Sequence, residues 1–156
     1  MSELGIIFTL CGAALAAILP GIGSGKGVGW VGQTAAGVLA EDPSKFSKLL
    51  ILQILPGTQG VYGFLCAILL LNSSGIMGGS PEITTFQGLM YLAAALPIAF
   101  VGLFTALDQA KTAVAGVGVV AKDPSQSGKS VTSSALVETY AVLSLLVSIL
   151  MILNVK

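Results

Sequence analysis

The sequence predicts an all-α integral membrane protein whose four transmembrane helices form two tandem hairpins. Composition, segment length and an internal repeat predict it. Of 156 residues, 54% are hydrophobic and 9% charged, where an average soluble domain has about 25% charged residues, and the mean hydropathy is +0.95. Four apolar segments, roughly 4–40, 46–72, 85–121 and 130–154, each exceed the ~20 residues an α-helix needs to cross a bilayer. The second half repeats the first: Gly37-Val38 recurs as Gly118-Val119, Ala40 as Ala121, and Asp42-Pro43-Ser44 as Asp123-Pro124-Ser125, 81 positions on. The same shift brings Lys48 to Lys129, Leu55 to Leu136 and Thr58 to Thr139. The units are therefore residues 1–80, a first hairpin, and residues 81–156, a second in the same orientation.

The first segment opens Met1-Ser2-Glu3-Leu4, with an acid where a secretory leader carries positive charge, so it is expected to be a retained span. It and the third segment are longer than a span requires and should tilt or project into water. Between Pro20 and Val38 lies PGIGSGKGVGWVGQTAAGV. A phosphate loop fails here, because Pro20 stands at the first glycine position and Gly27 at the hydroxyl position. Gly27, Gly29 and Gly32 match G-x-G-x-x-G without the preceding strand that motif needs. No nucleotide is expected on this chain. Gly21, Gly25 and Gly29 recur every fourth residue, as do Gly23 and Gly27, and Gly12 with Ala16. That spacing lets membrane helices approach closely. The third segment repeats the device with Gly102, Ala106 and Ala110 and with Ala95 and Ala99, whereas the second and fourth are bulkier. The first and third helices are therefore expected inside a closed assembly, with the second and fourth outside.

The connections 41–48 and 122–129 each carry an Asp-Pro-Ser turn and lysines (Lys45, Lys48; Lys122, Lys129), while the middle connection has no lysine. Positive-inside bias places the two lysine loops in the cytoplasm and both termini on the other side. Seven basic against seven acidic residues give no nucleic-acid footprint, and histidine is absent. Cys11 and Cys66 sit in apolar runs and read as packing or lipid-facing thiols.

Glu138 lies in SALVETYAVLSLLVSIL, within the fourth segment. A charge at the bilayer centre costs on the order of 2.5–3.5 kcal/mol and marks function by default. Its repeat counterpart is Gly57, so one carboxylate serves two hairpins. On the second segment Leu55, Thr58, Gln59 and Tyr62 share a helix face, beside a Pro56-Gly57 break expected to loosen a carbonyl. On the third, Thr105, Asp108, Gln109 and Thr112 have the same spacing. Asp108 and Lys111 suit either the site or the interface; Lys26 of the first segment lies at a similar level and would pair with an acid or snorkel. One carboxylate with hydroxyl, amide and carbonyl oxygens suits a hard monovalent cation, and neutral oxygens beside Glu138 favour Na⁺ or Li⁺ over H⁺.

The tandem hairpins, GIGSGKGVG, LPGTQGVYGF, LPIAFVGLF and LVETYAVL resemble the V-type ATPase proteolipid, the c or K rotor-ring subunit, over essentially the whole chain. The resemblance implies a homo-oligomeric ring in lipid, a central-stalk subunit turned by an ATP-hydrolysing head, and a static membrane subunit presenting an arginine. This chain would be an ion carrier and not itself an enzyme. The implied Na⁺ ligands are Glu138, the Leu55 carbonyl, Thr58, Gln59 and Gln109, with Tyr62 locking the carboxylate. Asp108 and Lys26, outside that set, are expected as charge modulators, Asp108 either as a second charge in the site or as a group that shifts the Glu138 pKa. It implies a sodium-translocating member in a bacterial plasma membrane. An H⁺-translocating version of the ring and a stand-alone tetraspan cation transporter are the alternatives.

Overall fold

The computed structural model describes residues 3–79 and 81–156. Met1 and Ser2, on which the leader argument partly rests, and Ser80, where the hairpin boundary falls, lie outside the described residues. Helix α1 runs Glu3–Glu41, α2 Phe46–Ile54, α3 Thr58–Ser73, α4 Thr85–Lys122 and α5 Ser127–Leu153. Among the described residues there is no strand. Four stretches of the described residues are long and apolar enough to cross a bilayer: α1, α4, Pro43–Ser73 and Pro124–Leu153. At 1.5 Å per residue α1 is about 58 Å long, well beyond a ~30 Å hydrocarbon core.

The second span is one helix by composition and two by hydrogen bonding. Pro56 has no N–H to donate and crowds the preceding turn, so the chain tightens into a 3₁₀ turn at Leu55–Gly57 and restarts as α3. The other two 3₁₀ turns, Pro43–Lys45 and Pro124–Gln126, open the second and fourth spans. They are near copies. Asp42 has φ −143° and ψ 91°, and Asp123 has φ −141° and ψ 95°. Asp42 accepts from the Ser44 N–H at 3.0 Å and the Ser44 hydroxyl at 2.6 Å; Asp123 accepts from Ser125 at 2.9 and 2.6 Å. Lys45 donates to the Ala121 carbonyl at 2.8 Å, fastening the first lysine loop to the end of α4. At the opposite end Thr84 and Gln87 close a capping box on α4.

The most extensive packing is α1 against α4, followed by α4 against α5 and α1 against α3. In a membrane, lipid tails are as apolar as leucine, so contact of this kind depends on close approach. A Cβ on Gly23 would fall 2.7 Å from the Leu103 carbonyl oxygen. One on Gly27 would fall 2.8 Å from Pro56 Cβ and 3.0 Å from Ala110 Cβ. Only one of the two glycine stripes is used in this way, since a Cβ on Gly21, Gly25 or Gly29 meets nothing within 4 Å. Two apolar clusters result. One gathers Val31, Ala35, Leu49, Leu52, Ala113, Val117 and Val120 toward the lysine loops; the other gathers Ala16, Cys66, Leu70, Tyr91, Ala95, Ile98 and Ile152 toward the opposite end. A polar layer separates them. Large apolar side chains such as Phe64, Leu65, Leu143, Leu146 and Leu150 remain exposed along α3 and α5, as a lipid-facing surface requires.

The paired serines hold the Asp42 and Asp123 carboxyls below the usual carboxylate range, mainly through the side-chain hydrogen bond and next through the backbone N–H. A carboxyl whose pKa falls on folding adds stability above its unfolded pKa and loses it as pH drops through the lowered value. Asp42→Ala and Asp123→Ala should therefore melt below the parent at neutral pH. They should also lose less stability on acidification, as followed by thermal circular dichroism in detergent.

Candidate ion-binding site

The polar layer begins at the Pro56 break. A new helix start leaves its first four N–H groups without intrahelical partners. The Thr58 N–H takes the Leu55 carbonyl by 3₁₀ closure. The Gly60 N–H is met from another helix: Ser24 Oγ of α1 accepts it at 2.8 Å. Ser24 is buried and acts as an interhelical cap for α3. Ser148 of α5 does the same after Pro97, accepting the Ile98 N–H at 3.2 Å.

With its start fixed, α3 presents Thr58, Gln59 and Tyr62 in turn. The Thr58 hydroxyl donates to the Leu55 carbonyl at 3.0 Å, which leaves the hydroxyl lone pairs open. The Leu55 carbonyl, expected to be loose, accepts both this bond and the Thr58 N–H, because the 3₁₀ turn closes over the gap Pro56 leaves. Gln59 Nε2 donates to Gln109 Oε1, and both side chains are fully buried. The Tyr62 hydroxyl donates to Glu138 Oε1 and also lies in range of Thr58. Ser134 of α5 donates to the Gln109 backbone carbonyl at 3.3 Å, holding α4 and α5 in register beside the cluster. The 3₁₀ turn and helices α3, α4 and α5 thus bring the Leu55 carbonyl, Thr58, Gln59, Tyr62, Gln109 and Glu138 together. Glu138 is half-buried and borders a shallow open groove with Ala135, Thr139, Val142 and Leu143.

The α4 polar face divides. Thr105 and Thr112 close their hydroxyls onto their own helix, at Val101 O (2.7 Å) and Asp108 O (3.0 Å). Asp108 is exposed and pairs with Lys111 at 2.9 Å, away from the cluster. Lys26 is exposed too, and among the described residues no carboxylate lies within ion-pair distance of it. No three His, Cys, Asp or Glu side chains converge among the described residues; the cluster around Tyr62 holds the Glu138 carboxylate together with hydroxyl, amide and carbonyl groups. Ser24 and Ser134 escaped the sequence reading. Their partners lie 36 and 25 residues away, and no local spacing announces them.

The family model for the ATP synthase C-subunit matches this chain twice, at residues 11–70 and 92–151. The chain belongs to the ATP synthase C-subunit family. It is 45% identical over 150 residues to the V-type sodium ATPase subunit K of Enterococcus hirae, covering 96% of this chain and 93% of that one. It is 42% identical to the A-type ATP synthase subunit K of Methanocaldococcus jannaschii, covering 96% of this chain and 64% of that longer one. Over 57% of its length it is 34% identical to the V-type proton ATPase 16 kDa proteolipid subunit of Chrysotila carterae, of which it spans 55%. The family's members assemble from identical subunits into rings within rotary ATPases, and the chain is an ion-translocating, multi-pass membrane subunit, not by itself an enzyme.

Ser24→Ala would take the side-chain acceptor from the half-buried Gly60 N–H, a loss of about 1 kcal/mol. The variant should denature at a correspondingly lower midpoint in detergent, and an unchanged midpoint would remove the capping role.

Proposed function

We propose that this chain is the rotor-ring subunit of a V-type rotary ATPase and carries one Na⁺ per chain on Glu138. Thr58, Gln59 and Gln109 supply side-chain oxygens, the Leu55 carbonyl joins them once the Thr58 hydroxyl turns from it and frees a lone pair, and Tyr62 steadies the carboxylate. The observation that carries this reading is the Gln59–Gln109 amide pair, fully buried beside a lone membrane carboxylate. Gln109 Nε2 is a buried polar atom with no hydrogen-bond partner, and half-satisfied buried networks are costly. A half-turn of both amides keeps their mutual bond and brings Gln109 Oε1 into the unpartnered position, where a cation would satisfy it. The 45% identity to a sodium ATPase subunit supports Na⁺ as the cargo. Li⁺ and H⁺ remain the natural competitors for the same oxygens.

Charge supplies the mechanism. An ionised carboxylate exposed to hydrocarbon costs several kcal/mol, so bare Glu138 must stay with water or a cation. With Na⁺ held, the side chain is neutralised and the α5 face can pass lipid. The Tyr62 hydroxyl holds Glu138 toward α3 during that passage. A static membrane subunit with a fixed arginine would draw the carboxylate out on arrival and release the ion, and a central stalk would couple that step to the cytoplasmic ATPase. The lysine loops would then face the cytoplasm and both termini the other side, in a bacterial plasma membrane. The two hairpins, 1–80 and 81–156, act as one ion-carrying unit because only the second has the acid.

A hydrophobic carbodiimide should label Glu138 in the purified ring, with Na⁺ protecting it at constant pH and Glu138→Gln abolishing the labelling. Labelling indifferent to Na⁺ but slowed by alkali would assign H⁺ instead. Tyr62→Phe should keep protection while raising the Na⁺ concentration it needs several-fold, and an unaltered requirement would take Tyr62 out of the site.

A further inference from the structure

Within one chain, α1 meets α4 where Gly27 lies against Ala106 and Ala110. A Cβ on Gly27 would fall 3.0 Å from Ala110 Cβ and 3.2 Å from the Ala106 carbonyl oxygen, and both alanines are fully buried. The repeat relates these positions to others. Gly27 corresponds to Asp108, 81 residues on, while Ala106 and Ala110 correspond to Gly25 and Gly29. A closed ring joins the second hairpin of one copy to the first hairpin of the next, and this junction is the repeat equivalent of the junction inside the chain. Asp108 then faces Gly25 and Gly29 of the next copy.

The bulk at the two junctions is exchanged. Inside the chain a glycine lies opposite two alanines; between chains an aspartate lies opposite two glycines. Gly25 is exposed, and a Cβ on Gly25 or Gly29 meets nothing within 4 Å, so the room an aspartate needs is present. The charges match as well. The Asp108 side chain is 62% exposed, with Lys111 of its own helix as its ion-pair partner. Lys26, next to Gly25, is exposed without a carboxylate at ion-pair distance among the described residues. Its repeat counterpart is Leu107, the neighbour of Asp108, which puts Lys26 of the next copy at the level of the aspartate.

We propose that Asp108 of one copy seats over Gly25 and Gly29 of the next and pairs with Lys26 of that copy, a charged seam between neighbouring protomers. The seam rests on the ring reading. It gives two otherwise unassigned charges a role: Asp108 is not an ion ligand but a register mark, one position from Gln109, which belongs to the cation cluster. Charge pairs of this kind fix register and exclude wrong docking.

The full-length protein in native membranes tests it by cysteine cross-linking, with Cys11 and Cys66 replaced by serine. Gly25→Cys with Asp108→Cys should oxidise to a ladder of covalent multimers, and either cysteine alone should give at most dimers. Monomer alone from the double variant would overturn the seam. Charge exchange is the second arm, read as ring integrity by native mass measurement in mild detergent. Asp108→Lys and Lys26→Asp should each shift the ring to smaller species, and the double exchange should restore it by several-fold over either single change. A double exchange no better than the singles would also overturn the proposal. A parent chain that never exceeds a dimer would refute the ring itself; an intact ring indifferent to these charges would refute only the seam.

Discussion

Pro56 removes one backbone donor from the second span, and much of the polar layer follows from that loss. The helix stops at Ile54, turns tightly through Leu55–Gly57 and restarts at Thr58. A restart exposes backbone N–H groups that water cannot reach inside a membrane. Ser24 reaches in from α1 to meet one of them, and this ties the glycine-rich helix to the break. The glycines are part of the same requirement. Pro56 can approach α1 because Gly27 has no Cβ to obstruct it. The turn then aims Thr58, Gln59 and Tyr62 across at Gln109 and Glu138. The proline, the serine and the glycine serve one arrangement from two helices.

The duplication shows how little must change to make a hairpin functional. The two Asp-Pro-Ser loops agree within a few degrees and 0.1 Å. Thr58 bonds to the Leu55 carbonyl at 3.0 Å, and Thr139 bonds to the Leu136 carbonyl at 2.8 Å. Between those matched ends stand Pro56-Gly57 in one copy and Val137-Glu138 in the other. The first hairpin keeps the break and supplies neutral oxygens, while the second keeps a regular helix and supplies the acid. In the proposed site, division of labour between the repeats gives one acid and its neutral oxygens from two hairpins facing each other.

Much of this was legible from local pattern. Spans and loops could be read because a membrane permits few structures and lysines mark one side. Leu55, Thr58, Gln59 and Tyr62 could be grouped because a helix brings i, i+3, i+4 and i+7 together; the Leu55 backbone carbonyl meets Thr58, Gln59 meets Gln109 and Tyr62 meets Glu138, while the Leu55 side chain packs into the apolar cluster toward the lysine loops. The same periodicity gave too much on α4, where Thr105, Asp108, Gln109 and Thr112 share spacing but only Gln109 turns inward. A helical face spans enough arc to meet core on one flank and an exposed surface on the other, and spacing alone does not say which. Ser24, Ser134 and Ser148 were not legible. Each serves a backbone group on another helix, and that relation exists only once the helices have packed.

One acid among neutral oxygens, flanked by dry clusters above and below, is suited to taking up a single positive charge and becoming neutral. This is what a rotor subunit needs to pass from water to lipid and back. The most direct measurement is the stoichiometry of ²²Na⁺ bound to the purified ring, with and without Glu138→Gln. The account predicts one ion per chain, displaced by Li⁺ and lost in the variant. Two ions per chain, or binding that survives Glu138→Gln, would contradict it.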